Sequence, residues 1–466
     1  VEGAPASHDG HRLRLVALGG CLVVAIALYA AFAIVVGSVP AGWEGYVGFS
    51  PASGPMFRAF SHLPAIGMGK AGFERAVALL LGGLWAAWGG GLIALRGVAS
   101  GDGRRRARAI VVVGGAAMLV LVVVAVPPVL SGDLYRQAIY GHMVALHGLN
   151  PYATPVAALA GDPLFPFANE PTATSFYGPV YSALSAVAAF VAPASPIGSV
   201  LAWKTMSAAA AFGTVLLAAP VARALAAPGV SDGLPAPGAS DGLEAQLFLA
   251  WNPVVVIESA ASAHVEPIMA LPALAGLLLL ARARPVRGFA LLVASALTKW
   301  LTGLLALYAL VREVRVAPPE RRLATALRLA GVGALVVVVC YAPFASGLFH
   351  RGGLFELATH GTGYLGDKTA HVVPQWVWSA LFLALVVGVA PFATKGDWAR
   401  LGAAVAALLM VFILLVPPWL FAWYFVTPIA LAAVLPRGRL GLALRAASVI
   451  LGADVMLYYA KLVPPR

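Results

Sequence analysis

Charge is scarce in this chain. Only 11% of its 466 residues are Asp, Glu, Lys or Arg, and acids account for just 19 of them. A soluble globule carries about a quarter charged residues, so that class is excluded. Cysteine is scarcer still. Cys21 and Cys340 each sit inside an apolar run with no Cys or His at metal-ligand spacing, and both read as inert core residues. No internal repeat is legible, which argues against a transporter assembled from matching halves.

What fills the chain is apolar: 61% of residues are hydrophobic and the mean hydropathy is +0.88. These values describe an all-α integral membrane protein in contact with membrane lipids. The formal net charge of +12 is gathered in short clusters between apolar runs. There its meaning is orientation in the membrane, and nucleic acid is set aside as a partner.

The first run, Leu15 to Val36, is flanked by His11, Arg12 and Arg14, lacks a small-residue cleavage site and reads as a retained span. A loop with the interfacial aromatics Trp43, Tyr46, Phe49 and Phe57 follows, then a second run from Arg75 to Leu95. Arg104, Arg105, Arg106 and Arg108 cluster in the next loop, which positive-inside logic puts in the cytoplasm. The third run, Ala109 to Leu130, carries the chain outward, so Gly132 and Asp133 emerge at the outer surface.

Further basic clusters at Arg282 to Arg287, Arg312 to Arg328, Lys395 and Arg400, and Arg437 to Arg445 are assigned to the same cytoplasmic side. The chain must then turn outside at Glu258 to Pro267 and at Thr298 to Trp300. Arms of about 12 to 17 residues are short for a full crossing and bring these two tips below the outer surface, into a cavity. About thirteen crossings are expected, with a long outer loop between Ala345 and Trp376 that carries short helices, and an outer turn at Pro417 to Trp419. The Gly/Pro/Ser/Asp-rich stretch Pro228 to Leu243 reads as disordered and separates two halves. The resulting segments are 1–108, 109–226, a flexible cytoplasmic loop at 227–245, and 246–466.

One polar stretch, Ser131 to Tyr181, collects acids, histidines and tyrosines that are rare elsewhere. Asp133, followed by Tyr135, Arg136 and Tyr140, reads in two ways: as a helix cap, or as a carboxylate that accepts a proton from an alcohol or orients a cation. Glu258, His264 and Glu266 lie within nine positions at a tip, either as a structural network or as a site. Lys299 stands alone in an apolar run, where it either snorkels or neutralises a lipid phosphate. The strip Pro417 to Phe425 either stacks a sugar or a prenyl chain or forms an interfacial belt. His350, Arg351, His360, Tyr364, Asp367, Lys368 and His371 give the long loop an amphoteric surface suited to an acceptor, at no metal-site spacing.

The order of these segments resembles a known family. Asp133 follows an early span with GxNPY at Gly148 to Tyr152. YGP enters the next span at Tyr177 to Pro179, an NP precedes an acidic, histidine-bearing tip, a Lys follows a small-residue helix, and a late proline–aromatic strip closes the set. Over Leu121 to Leu435 the chain resembles the GT-C superfamily of membrane glycosyltransferases, most like the polyprenol-phosphomannose-dependent alpha-mannosyltransferases of bacterial envelopes.

The resemblance implies a GT-C-like bundle in the bacterial cytoplasmic membrane with an active site outside the cytoplasm. It also implies inverting transfer of a hexose, mannose by analogy, from a polyprenyl-phosphate-sugar donor to a glycan or glycolipid acceptor. By that carry-over Asp133 is the general base, Lys299 contacts donor phosphate, and His264 and Glu266 bind donor phosphate or sugar. Tyr177, Trp419 and Tyr424 line the cavity. Tyr135, Glu258, His360 and Lys368, read from their own positions and not carried over from the family, complete the expected substrate-binding set. The tip departs from the family's H-N-D pattern, with Val265 in place of the amide and Glu266 in place of the shorter acid, and the late strip lacks a His before its P-W-Y. No second acid adjoins Asp133, so metal-independent transfer without a cofactor is expected. A polytopic transporter or lipid flippase is the rival from another class, and neither acceptor, prenyl length nor oligomeric state follows from these residues.

Overall fold

The computed structural model describes residues 8–38, 67–96, 98, 101–128, 131–168, 170–193, 195–226, 242–347, 373–416 and 420–459. Among them the fold is all-α, with no strand. Helices α1 (His8–Gly37), α2 (Lys70–Arg96) and α3 (Asp102–Ala125) pack together as an N-terminal group. The arginine cluster expected in the loop before α3 lies inside its first turns. Arginine is a good helix former, and Asp102 at the positive end of the helix starts it early.

Helix α4 (Asp133–His147) ends at Gly148, whose φ of 62° supplies a left-handed C-cap. An irregular segment with two 3-10 turns leads to α5 (Pro179–Val191) and the 30-residue α6 (Pro196–Leu225). Pro179 and Pro196 both open their helices, where a missing N–H costs nothing. Close packing of α4 on α5 depends on Gly141, since a Cβ there would run into the Ser185 carbonyl.

Residues 227–241 of the expected cytoplasmic loop lie outside the described residues, but its end does not behave as a loop. Leu243 and Ala245 are buried in α7 (Leu243–Ala250), and Glu244 pairs with Arg437 and with Arg445 at 3.7 Å. Apolar burial and that ion pair start the helix where composition suggested flexibility.

The second half contains α8 (Pro253–Val256), α9 (Glu266–Ala281), α10 (Pro285–Ala296), α11 (Gly303–Val316), α12 (Arg322–Tyr341), α13 (Gln375–Lys395), α14 (Trp398–Leu415), α15 (Val426–Val434) and α16 (Arg439–Tyr459). Among the described residues eight helices are long and apolar enough to cross a membrane. They become nine if Pro253–Ala261 and Glu266–Ala281, bent by 119° at their break, are taken as one span. The difference from about thirteen crossings comes from short apolar helices such as Pro179–Val191, Pro285–Ala296 and Ala422–Val434, which lack the length of a full span. Only 11% of the apolar window of α12 and 17% of that of α13 is buried, against 78% for α14. The first two therefore stand at the periphery, and α14 lies in the bundle interior.

Candidate functional site

The break between α8 and α9 is a tip of unusual backbone. A single π turn, Ile257–Ala261, follows α8, and Ala263 takes a left-handed φ of 54°. Both features cluster at functional sites, and for a residue with a Cβ the left-handed conformation costs roughly 1–2 kcal/mol. The tip is held by the His264 N–H donating to the Glu258 carbonyl at 2.9 Å and the Ser207 hydroxyl of α6 donating to the His264 carbonyl at 2.7 Å. Glu258, His264 and Glu266, expected together from sequence, are all buried here, with His264 Nε2 3.6 Å from Glu258 Oε2.

The second expected tip lies between α10 and α11. Lys299 has extended backbone, and its side chain forms an ion pair with Glu266 across the two tips. The same ammonium sits 4.8 Å from the ring centre of Tyr424 and 5.8 Å from that of Tyr177. Tyr177 is brought there by backbone pairing, in which the Gly178 and Val180 N–H groups donate to the Thr298 and Leu297 carbonyls at 3.0 and 3.1 Å. Glycine is required at 178, because a Cβ would collide with the Leu297 carbonyl.

Asp133 is the first residue of α4, not its cap. The cap position is Gly132, with no side-chain cap bond, and the Asp133 N–H donates to Ser131 Oγ at 3.1 Å. A carboxylate in the first turn is favoured by the helix dipole. Asp133 Oδ1 accepts from Arg136 Nη2 at 3.2 Å, and Arg136, itself buried, also pairs with Glu170 and lies 5.1 Å over the Phe176 ring. Burial is the largest influence on Arg136 and works to lower its pKa, but Asp133 together with Tyr177, Tyr140 and Tyr181 more than offsets it, and the guanidinium is held above its ordinary range. The Asp133 carboxylate stays 17% exposed, open enough to meet a ligand. Its charge reaches Tyr177, His264 and Glu266, so the first polar stretch and the two tips form one electrostatic unit.

Aromatic rings close the site. Trp423 stacks on His264 at 3.8 Å with 16° between planes, and Phe421 stacks on Trp423 at 4.0 Å. Burial, with the charge of Asp133 adding to it, holds the Tyr177 phenol well above its usual 10, so it remains a neutral hydroxyl. Three buried polar atoms of this region have no hydrogen-bond partner among the described residues: Arg136 Nε, His264 Nε2 and Glu266 Oε2. Orphaned groups of this kind are costly, and those at the tips are able to bond a ligand. Among the described residues no group of three or more His, Cys, Asp or Glu is arranged to hold a metal ion.

Of the sequence candidates, Asp133, Tyr177, Glu258, His264, Glu266, Lys299 and Tyr424 come together. Tyr135 instead turns its ring onto Phe167, at 5.5 Å. His360, Lys368 and Trp419 lie outside the described residues. Sequence reasoning missed the supports on α6. Trp203 Nε1 donates to Gln137 Oε1 at 2.6 Å, and Lys204 Nζ donates to the Val122 and Val126 carbonyls at 3.3 and 2.5 Å, tying down the end of α3 ahead of Asp133. A lysine inside an apolar run was the available signal for Lys204, as it was for Lys299. A buried His142 linking Asp162 at 2.6 Å and Ser199 at 3.1 Å, which pins the irregular segment onto α6, was missed as well.

A family model described as alpha-(1->6)-mannopyranosyltransferase, N-terminal domain (MptA_B family) matches residues 24–315, more than half of the chain. The matched stretch includes Asp133, Glu258, His264, Glu266 and Lys299, and ends before Trp423 and Tyr424. No curated protein and no solved structure matches the chain.

Proposed function

The chain belongs to the MptA_B family of alpha-(1->6)-mannopyranosyltransferases, and from that membership we propose that it moves a hexose, mannose, from a polyprenyl-phosphate donor to a hydroxyl of a glycan or glycolipid. Membership itself makes it a membrane glycosyltransferase of the mannosyltransferase class. The observation that carries the finer reading is that an accessible acid, Asp133, and a cation, Lys299, both act on Tyr177, the acid through its charge and the ammonium from 5.8 Å over the ring.

In this reading the acceptor oxygen attacks the anomeric carbon while Asp133 takes its proton. The bond from that carbon to the phosphate oxygen breaks on the opposite face, and polyprenyl phosphate leaves with the electron pair, so configuration inverts. Base catalysis of this kind contributes about 10² to 10⁴-fold. Lys299 shares its charge between Glu266 and the leaving phosphate, where a fixed cation lowers the barrier. Phe421 and Tyr424, with Trp423 stacked behind Phe421, offer faces for sugar or prenyl carbon.

An outward-facing site is supported by helix direction. α9 runs from Glu266 to Arg282, α11 from the Lys299 tip to Arg312 and Arg315, and α15 from the aromatic strip to Arg437. Each of these three helices ends at a basic cluster, and such clusters favour the cytoplasm. The site then lies on the outer face of the bacterial cytoplasmic membrane, open to lipid donor and aqueous acceptor.

The bent pair around the first tip is also a device of transporters, which build substrate sites at broken helices. One experiment separates the readings. Purified protein in detergent is given radiolabelled polyprenyl-phosphate-mannose and a panel of glycan and glycolipid acceptors, and the same preparation is placed in proteoliposomes. Labelled product supports transfer; no product with any acceptor, together with donor flux across the vesicle, would establish the transporter instead.

A further inference from the structure

Gln137 on α4 and Trp203 on α6 are both wholly buried beside Tyr177, and neither has a place in the reaction as written above. Their hydrogen bonds have a fixed polarity. An indole N–H only donates, so the Gln137 atom 2.6 Å from Trp203 Nε1 must be the amide oxygen. The amide cannot flip, and its nitrogen is the atom left facing Tyr177 Oη, at 3.0 Å. That nitrogen carries only hydrogens, so the Tyr177 oxygen must accept there and its own hydrogen must go elsewhere.

Among the described residues the Tyr177 hydroxyl accepts from Gln137 and donates no hydrogen bond, and Tyr177 is only 4% exposed. The hydroxyl lies within reach of the charges of Asp133, Arg136 and Glu266, and the Lys299 ammonium stands over the same ring. A buried donor with nothing to donate to, beside a cation, fits an anionic oxygen.

We infer that Trp203 and Gln137 form a relay that commits Tyr177 to donate its hydroxyl hydrogen to a phosphate oxygen of the polyprenyl-phosphate group, next to Lys299. Tyr177 touches the ligand; Gln137 and Trp203 are positioning residues that act through it. The inference rests on the proposed transfer for its choice of ligand, but its test requires no turnover.

The probe is a short-chain polyprenyl phosphate titrated calorimetrically into the full-length protein in detergent. The proteins are wild type, Tyr177→Phe, Trp203→Phe, the double variant and Gln137→Glu, with melting temperatures recorded for each. Tyr177→Phe weakens binding about tenfold, the loss of one hydrogen bond to a charged group. Trp203→Phe frees the amide to turn its oxygen to Tyr177 and weakens binding severalfold, but adds nothing once Tyr177 is Phe. Gln137→Glu keeps the side-chain shape, presents only acceptors, draws the Tyr177 hydrogen inward and matches Tyr177→Phe, which keeps the question answerable if Trp203→Phe does not fold.

Unchanged binding in Tyr177→Phe, losses that multiply in the double variant, or no binding by wild type each overturn the relay. Equal and equally relay-dependent binding of phosphatidylglycerol overturns the polyprenyl assignment. Relay-dependent binding of the probe in a protein that transfers no sugar would leave the relay standing and remove the transferase reading alone.

Discussion

Replacing Lys299 by Met separates what the Lys299–Glu266 pair does for stability from what it does for transfer. Glu266 is fully buried and Lys299 only 8% exposed, so water does little to screen either charge. Removing the lysine leaves a carboxylate buried without its cation, a change that costs about 3–5 kcal/mol in buried pairs. Removing both charges, in Lys299→Met with Glu266→Gln, restores most of that stability, because neutral groups of similar volume replace a buried pair at little cost. Transfer behaves differently. Both variants lack the cation that meets the leaving phosphate, and both lose about 10² to 10³-fold in rate, the scale of one electrostatic contact at a developing anion. The assays are reversible unfolding in mixed micelles and initial rates of transfer from polyprenyl-phosphate-mannose. A double variant as unstable as Lys299→Met would refute the buried-pair argument, and one as active as wild type would refute the phosphate role.

Three further outcomes follow from the backbone and the supports. Ala263→Gly relieves the left-handed strain at the first tip and raises the melting temperature slightly, whereas Ala263→Val lowers stability by roughly 2 kcal/mol. Gly178→Ala drives a Cβ into the Leu297 carbonyl and costs about 1–3 kcal/mol in thermal unfolding; because that contact sets the position of Lys299, transfer falls further than stability does. Lys204→Met takes the lysine donor from the Val126 carbonyl, while the Val122 carbonyl keeps the Val126 N–H, and costs about 1–3 kcal/mol, read as increased amide exchange at the end of α3.

Much of this arrangement was legible in the sequence because a bilayer leaves so few options. Helical runs of apolar residues mark α1, α2, α3, α13 and α14, and the basic clusters fix which ends of the helices lie together. The tips at Glu258–Pro267 and Thr298–Trp300 were legible as polar residues stranded between short arms. That Lys299 pairs with Glu266 was not, since pairing depends on how two hairpins lie against each other. Taken alone, Asp133 reads as a cap before it reads as a base, and the backbone at Gly132 takes the capping role away from it. Composition misled at Leu243–Gln246, where burial and an ion pair outweigh the polar run before them. The supports on α6 escaped for another reason. Trp203 and Ser207 look like ordinary residues of a small-residue helix, and their meaning lies in carbonyl and amide partners that hydropathy does not register.

The central claim is that Asp133 takes the acceptor proton, and Asp133→Asn tests it most directly. Transfer from radiolabelled polyprenyl-phosphate-mannose and binding of polyprenyl phosphate are measured on the same preparation, with the melting temperature as a check on the Arg136 contact. The account predicts transfer reduced by about 10² to 10⁴-fold with binding retained. Transfer equal to wild type would contradict it and remove Asp133 from the mechanism.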